Sequence, residues 1–94
     1  MAETRRLTVT GRVQGVGYRA WTLKAATELG LSGWVRNRLD GSVEIVARGE
    51  PAALDGLAER CRRGPLLSRV DGVEVIPLED DPDLAPAFVQ TVTA

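Results

Sequence analysis

No histidine occurs among the 94 residues, and cysteine occurs once, at Cys61. These two scarcities remove whole classes of chemistry. Without histidine there is no Ser-His-Asp triad, no Cys-His pair, no phosphohistidine and no His-containing zinc site. A single cysteine leaves no internal disulfide and no C-x-x-C redox or metal motif. Aromatic residues are few, at 4% of the chain, with no run of them to serve as an RNA-stacking platform. The first residues, MAETRRLTVT, lack an apolar signal core, and no later run is apolar enough to span a membrane. A lone cysteine and no export signal make the cytoplasm the expected compartment, with no membrane partner. Any chemistry must come from arginine, lysine, carboxylates, amides, hydroxyls or the backbone.

What is present describes a folded domain. Hydrophobic residues make up 44% and charged residues 27% of the chain, near ordinary globular values. A chain of this mass should expose about 5,300 Å² when folded against about 14,600 Å² unfolded. That suffices for one core, so residues 1–94 are expected to form a single domain. The net charge of −1 argues against a long polyanionic partner, and no nucleic-acid partner is expected. The charge is unevenly divided, however. Residues 1–48 carry eight basic and four acidic residues, whereas residues 49–94 carry four and nine. A basic first half suggests a local anion site; scattered, solvated charge is the bland alternative.

Hydrophobic periodicity divides the chain into seven pieces. Leu7, Val9 and Val13 alternate, predicting a strand over 7–13. Gln14–Gly17 reads as a loop. Tyr18, Thr22, Ala25 and Leu29 then line one face of a helix that stops at Gly30. Residues 33–38 read as a second strand, Asp40-Gly41 as a hairpin turn, and Val43, Ile45 and Ala47 as the inward side of a third strand. Pro51 suits the first turn of a second helix with Leu54, Leu57, Ala58 and Cys61 on its apolar stripe. Arg60, Arg62 and Arg63 complement its C-terminal dipole, and Gly64-Pro65 ends it. Val73 and Val75 mark a fourth strand, residues 79–83 an acidic loop, and Phe88–Val92 a short edge strand. The order βαββαβ, plus a tail strand, predicts an α+β, ferredoxin-like sandwich with two helices on one face of a mostly antiparallel sheet.

The stretch Gly11-Arg12-Val13-Gln14-Gly15-Val16-Gly17-Tyr18-Arg19 carries the chemistry. A glycine loop leaves a strand and opens directly into a helix. Gly15 and Gly17 allow successive N–H groups to curl around one concavity, and the helix N-terminus adds unpaired N–H groups and partial positive charge. The result is an anion cradle of phosphate size, with the planar fork of Arg19 beside it. The Walker pattern G-x-x-x-x-G-K-[ST] is absent. Gly15-x-Gly17-x-x-Ala20 does fit a dinucleotide fingerprint. But the chain is too short for a doubly wound sheet, and a hairpin follows where that fold needs a second crossover. The glycines can also be read as permitting a tight turn and no more. In the second constellation, Gly33-Trp34-Val35-Arg36-Asn37, alternation places Val35 and Asn37 on one face and Trp34 and Arg36 on the other. Asparagine is a poor strand former, so Asn37 either serves function or caps the nearby turn. Trp21 either flanks the mouth of the site or packs half-exposed, and Tyr18 begins the core face of its helix.

Together these segments resemble the acylphosphatase family. Gly11-x-Val13-Gln14-Gly15-Val16-x-Tyr18-Arg19 is similar to its first signature, and Gly33-Trp34-Val35-Arg36-Asn37-x-x-x-Gly41-x-Val43, with Gly49 six residues on, to its second. The resemblance spans about residues 7–92. It implies hydrolysis of the carboxyl–phosphate bond of a small-molecule acyl phosphate, with no cofactor and no metal, by a chain expected to be monomeric. It implies that Arg19 is the phosphate-binding catalytic arginine and Asn37 positions the attacking water. Gln14, Gly15, Val16, Gly17, Tyr18 and Arg19 are the implied substrate-binding segment. The family often has a hydroxyl residue after the asparagine, where this chain has Arg38; Ser42 is a conceivable substitute. The alternatives are a non-enzymatic ferredoxin-like module for a small anion or RNA, or an accessory domain of a carbamoyl-transfer system.

Overall fold

In the computed structural model, which describes residues 2–94, the chain runs through seven elements. These are β1 (Glu3–Arg12), α1 (Tyr18–Glu28), β2 (Ser32–Asn37), β3 (Val43–Gly49), α2 (Pro51–Arg63), β4 (Arg69–Leu78) and β5 (Phe88–Gln90). The five strands form one sheet in the order β4-β1-β3-β2-β5. All neighbours are antiparallel except β2 and β5. The expected ferredoxin-like architecture is present, and the exposed surface, 5395 Å², is close to the value expected from mass.

Each helix crosses over one intervening strand. β1 and β2 both run antiparallel to β3, so they are parallel to each other and end at the same edge of the molecule. α1 starts at that edge. The core lies between sheet and helices. Leu7, Val9, Val35 and Ile45 from the sheet meet Tyr18, Ala26, Leu54, Leu57 and Cys61 from the helices, all essentially without exposure. Burying a side chain of Leu or Ile size is worth roughly 1.5–3 kcal/mol, so this layer is the main adhesive of the fold. Gly33 lies where β2 and β3 approach closely. Its φ is 131°, and a Cβ there would collide with the Val46 carbonyl.

Several boundaries differ from expectation, β2 by one residue at each end, running Ser32–Asn37 in place of 33–38. β1 begins at Glu3, not Leu7, because pairing with β3 and β4 on both sides extends it through a charged segment. There Thr4 is buried and Arg5 bonds Glu3 and Asp55. Val13 lies just beyond β1, although it is buried. β5 is shorter than expected, ending at Gln90. Its tail nevertheless stays against β2: the N–H of Thr91 donates to the Val35 carbonyl and that of Ala94 to the Asn37 carbonyl.

Tyr18 ties the two helices together. Its hydroxyl donates to the Cys61 carbonyl at 2.7 Å. That carbonyl belongs to the last turn of α2, where its normal partner would be the N–H four residues on; that residue is Pro65, which has none. The tyrosine supplies the missing donor. Burial raises the phenol's pKa well above its ordinary value. Burial also pushes the Cys61 thiol up to about 11, which fits the reading of Cys61 as a small core hydrophobe.

Candidate active site

The loop between β1 and α1 curls at two glycines. Gly15 has φ 73° and Gly17 φ 79°, the left-handed region that glycine occupies without steric cost. Gly17 is also the N-cap of α1, so no side chain caps the helix, and the first turn has no acidic residue. The first-turn N–H groups therefore have no capping side chain among the described residues, an arrangement that favours an anion. Gly15, Gly17, Tyr18, Arg19 and Ala20 line one side of a cleft of about 180 Å³.

Asn37, the last residue of β2, lines the same cleft. This follows from topology: β1 and β2 end together, so the cradle after one faces the terminal side chain of the other. Asn37 shares the helix-side face of the sheet with buried Val35. Trp34 and Arg36 take the opposite face, where the guanidinium carbon of Arg36 lies 4.7 Å from the Trp34 ring centroid. The Asn37 side chain makes no hydrogen bond to protein among the described residues, so it does not cap the turn. Asp40 does that, accepting from the N–H and hydroxyl of Ser42 at 2.9 and 2.6 Å. These bonds hold the Asp40 carboxyl below its usual pKa.

The arginines divide by role. Arg36 and Arg38 both pair with the buried carboxylate of Glu44, at 2.7 and 3.1 Å. Burial alone would raise the pKa of Glu44, but the two guanidinium bonds outweigh it and hold the carboxyl below its ordinary range. Arg19 is different. It is half-buried in the first turn of α1, and its guanidinium forms no ion pair among the described residues. Its charge is directed at no carboxylate and is available to an anion in the cleft.

The segment Gln14–Arg19 was expected to act through its backbone amides, and several of its side chains turn away from the cleft. The side chain of Gln14 does not enter the cleft. Its Nε2 donates to the carbonyls of Arg38 and Ser42 at 2.7 and 2.9 Å, clamping the cradle to the β2–β3 hairpin. Val16 packs half-buried against the core. Of these two, only backbone groups remain for a ligand. Tyr18 borders the cleft but turns its hydroxyl inward to Cys61. Ser42 cannot replace the hydroxyl absent at Arg38, because its own is bound to Asp40. Trp21 stacks obliquely on Tyr18 at 5.6 Å and lines a separate groove with Lys24 and Glu28. Three lining residues were not foreseen: Val13 and Ala20, which flank the expected segment, and Gln90, on β5. The alternation through Phe88–Val92 placed it on a strand, but only the parallel pairing with β2 brings it to the site. Among the described residues, no three His, Cys, Asp or Glu side chains gather as they would to hold a metal ion. Among the described residues, no helix is long and apolar enough to cross a membrane.

The fold and cleft define an α+β domain of the ferredoxin-like class, with a cleft at the glycine loop that opens its first helix. The chain belongs to the acylphosphatase family, whose model matches residues 5–89. An acylphosphatase of Rhizorhabdus wittichii is 53% identical over 90 residues, covering 95% of this chain and 88% of that protein. The crystal structure of acylphosphatase from Bacillus subtilis is similar at a TM-score of 0.89 and 36% identity, covering 97% of this chain and 99% of that one. The structure of a HypF from T. kodakarensis is similar at a TM-score of 0.82 and 28% identity, but the match is 12% of that chain.

Proposed function

We propose that this protein hydrolyses the carboxyl–phosphate bond of small acyl phosphates, yielding a carboxylate and inorganic phosphate. The reading takes residues 1–94 as one catalytic domain, acting without metal, as a monomer, in the cytoplasm and with no nucleic-acid partner. The observation that carries it is that Arg19, with no ion pair among the described residues, lines one cleft with the glycine loop and Asn37.

The reaction suits these groups. The leaving carboxylate has a conjugate acid of pKa about 4, so it departs at neutral pH without a general acid. As the oxygen of water bonds to phosphorus, the bond to the acyl oxygen breaks and its electron pair leaves with the carboxylate. A proton of the water passes to a phosphoryl oxygen. The transition state is loose, with charge spread over the phosphoryl oxygens, so positioning and charge stabilisation do most of the work. Arg19 and the cradle N–H groups supply both. Asn37 is neutral, so it orients a water without repelling the phosphate, as an aspartate would.

Hydrolysis of acetyl phosphate and benzoyl phosphate in excess chelator tests the reading. Arg19→Gln removes charge-assisted bonds worth about 1.5–3 kcal/mol each. It should weaken inhibition by inorganic phosphate and lower kcat/KM by about 100-fold or more. Asn37→Ala should lower kcat by about 100-fold and leave phosphate inhibition nearly unchanged. A wild-type protein inactive in chelator, or an Arg19→Gln variant as active as wild type, refutes it.

A further inference from the structure

We propose that Gln90 is a second positioning group for the attacking water, acting with Asn37; this rests on the hydrolytic reading above. Polar side chains that reach the cleft are few. Arg19 stands on the cradle side, and the Tyr18 hydroxyl is committed to Cys61. Arg38, the residue after Asn37, turns its guanidinium to Glu44. The Ser42 hydroxyl is held by Asp40. That leaves Asn37 and Gln90 as the uncommitted amides of the cleft.

Geometry puts the two side by side. Gln90 is in parallel register with Val35, and Asn37 lies two residues beyond Val35 on the same face. With strands about 4.8 Å apart and a rise of about 3.3 Å per residue, the two Cα atoms are roughly 8 Å apart. Two amide side chains at that separation can share one water. Each carboxamide both accepts and donates, so the pair can accept hydrogen bonds from the water's O–H groups while leaving its lone pair toward phosphorus. Neither brings a charge that would repel the phosphate. The Gln90 side chain has no protein hydrogen bond among the described residues. The bonds from Thr91 to Val35 and from Ala94 to Asn37 fix its backbone against β2.

Gln90→Met keeps the length and removes the amide, at an exposed position where folding is not at risk. We expect kcat to fall about tenfold, by the same factor for acetyl and benzoyl phosphate. Inhibition by inorganic phosphate and the Tm should stay at wild-type values. Combined with Asn37→Ala, the change should add almost nothing, because both residues act on one water. Fully additive losses, an unchanged kcat, or an effect confined to KM that differs between the two acyl groups would overturn the proposal; the last would make Gln90 a reader of the acyl chain. Failure of the hydrolytic reading itself shows in the wild-type protein, and failure of this proposal only in the variants.

Discussion

Replacing Gln14 by leucine asks whether cradle and hairpin are held as one piece. The Gln14 amide donates to the carbonyls of Arg38 and Ser42. Each of those carbonyls also accepts a backbone N–H, from Gly41 at 3.1 Å and from Arg38 at 2.9 Å. Leucine therefore removes two hydrogen bonds without orphaning either carbonyl. The loss is set by the net value of made bonds, about 0.5–1.5 kcal/mol each, not by the larger penalty of an unpaired buried group. Partial exposure places the sum at roughly 1–2 kcal/mol, which lowers Tm by roughly 4–16 °C in a domain of this size. The catalytic effect should be larger in proportion. A displacement of about 1 Å between reacting groups can cost about 100-fold, so kcat should fall at least about tenfold with secondary structure intact.

Gln14→Glu sharpens the same test. A carboxylate has no proton to offer two carbonyl oxygens, so folding favours the neutral acid and raises its pKa above the unfolded value of about 4.3. The sign then follows from linkage. Relative to wild type, this variant is least destabilised below that unfolded value and loses stability as pH rises through the raised one. Thermal melts from pH 4 to 8 with parallel acetyl phosphate assays provide the measurement. A leucine variant with wild-type Tm and kcat, or a glutamate variant equally destabilised at both ends of the range, refutes the clamp.

Tyr18→Phe should cost about 1–3 kcal/mol, because the Cys61 carbonyl is left buried without its donor; denaturant titration reads the loss directly. Gly17→Ala meets no atom within 4 Å of the added Cβ. Its cost should be the left-handed backbone penalty of about 1–2 kcal/mol, with phosphate inhibition weakened alongside. Glu44→Gln removes the shared partner of Arg36 and Arg38. Both arginines keep some solvent contact, so the loss should fall below the roughly 3–5 kcal/mol of a fully buried pair. The depressed pKa of Glu44 stabilises the wild type above the ordinary carboxyl range and ceases to do so as pH falls through its folded value. The gap in Tm between wild type and this variant should therefore close in acid.

The architecture was legible wherever apolar residues kept time. The stripe of α2, the alternation of Val43, Ile45 and Ala47, and the proline and glycines at element ends all speak in local terms. The charged start of β1 did not, because its strand character comes from pairing on both edges. The site shows the same division. Gly15, Gly17 and Arg19 are neighbours in sequence, and their spacing suggested an anion cradle. Gln14 reads as part of that loop until the hairpin it grips is seen, 24 and 28 residues away. Gln90 reaches the cleft only through parallel pairing with a strand more than fifty residues earlier. No local pattern encodes either contact.

β3 separates the two strands that deliver the cradle and Asn37, and it follows both in the chain. The geometry of the cleft is thus set by a strand that stands between the groups it spaces and comes after both in the sequence. A chain with β1, α1 and β2 formed but β3 undocked has every functional side chain and no site. On the proposed reading, phosphate would be a ligand of the finished topology alone. It would add about 2.7 kcal/mol of stability at a hundredfold excess over its Kd, and would do so by slowing unfolding, with little leverage on the rate at which the chain first assembles.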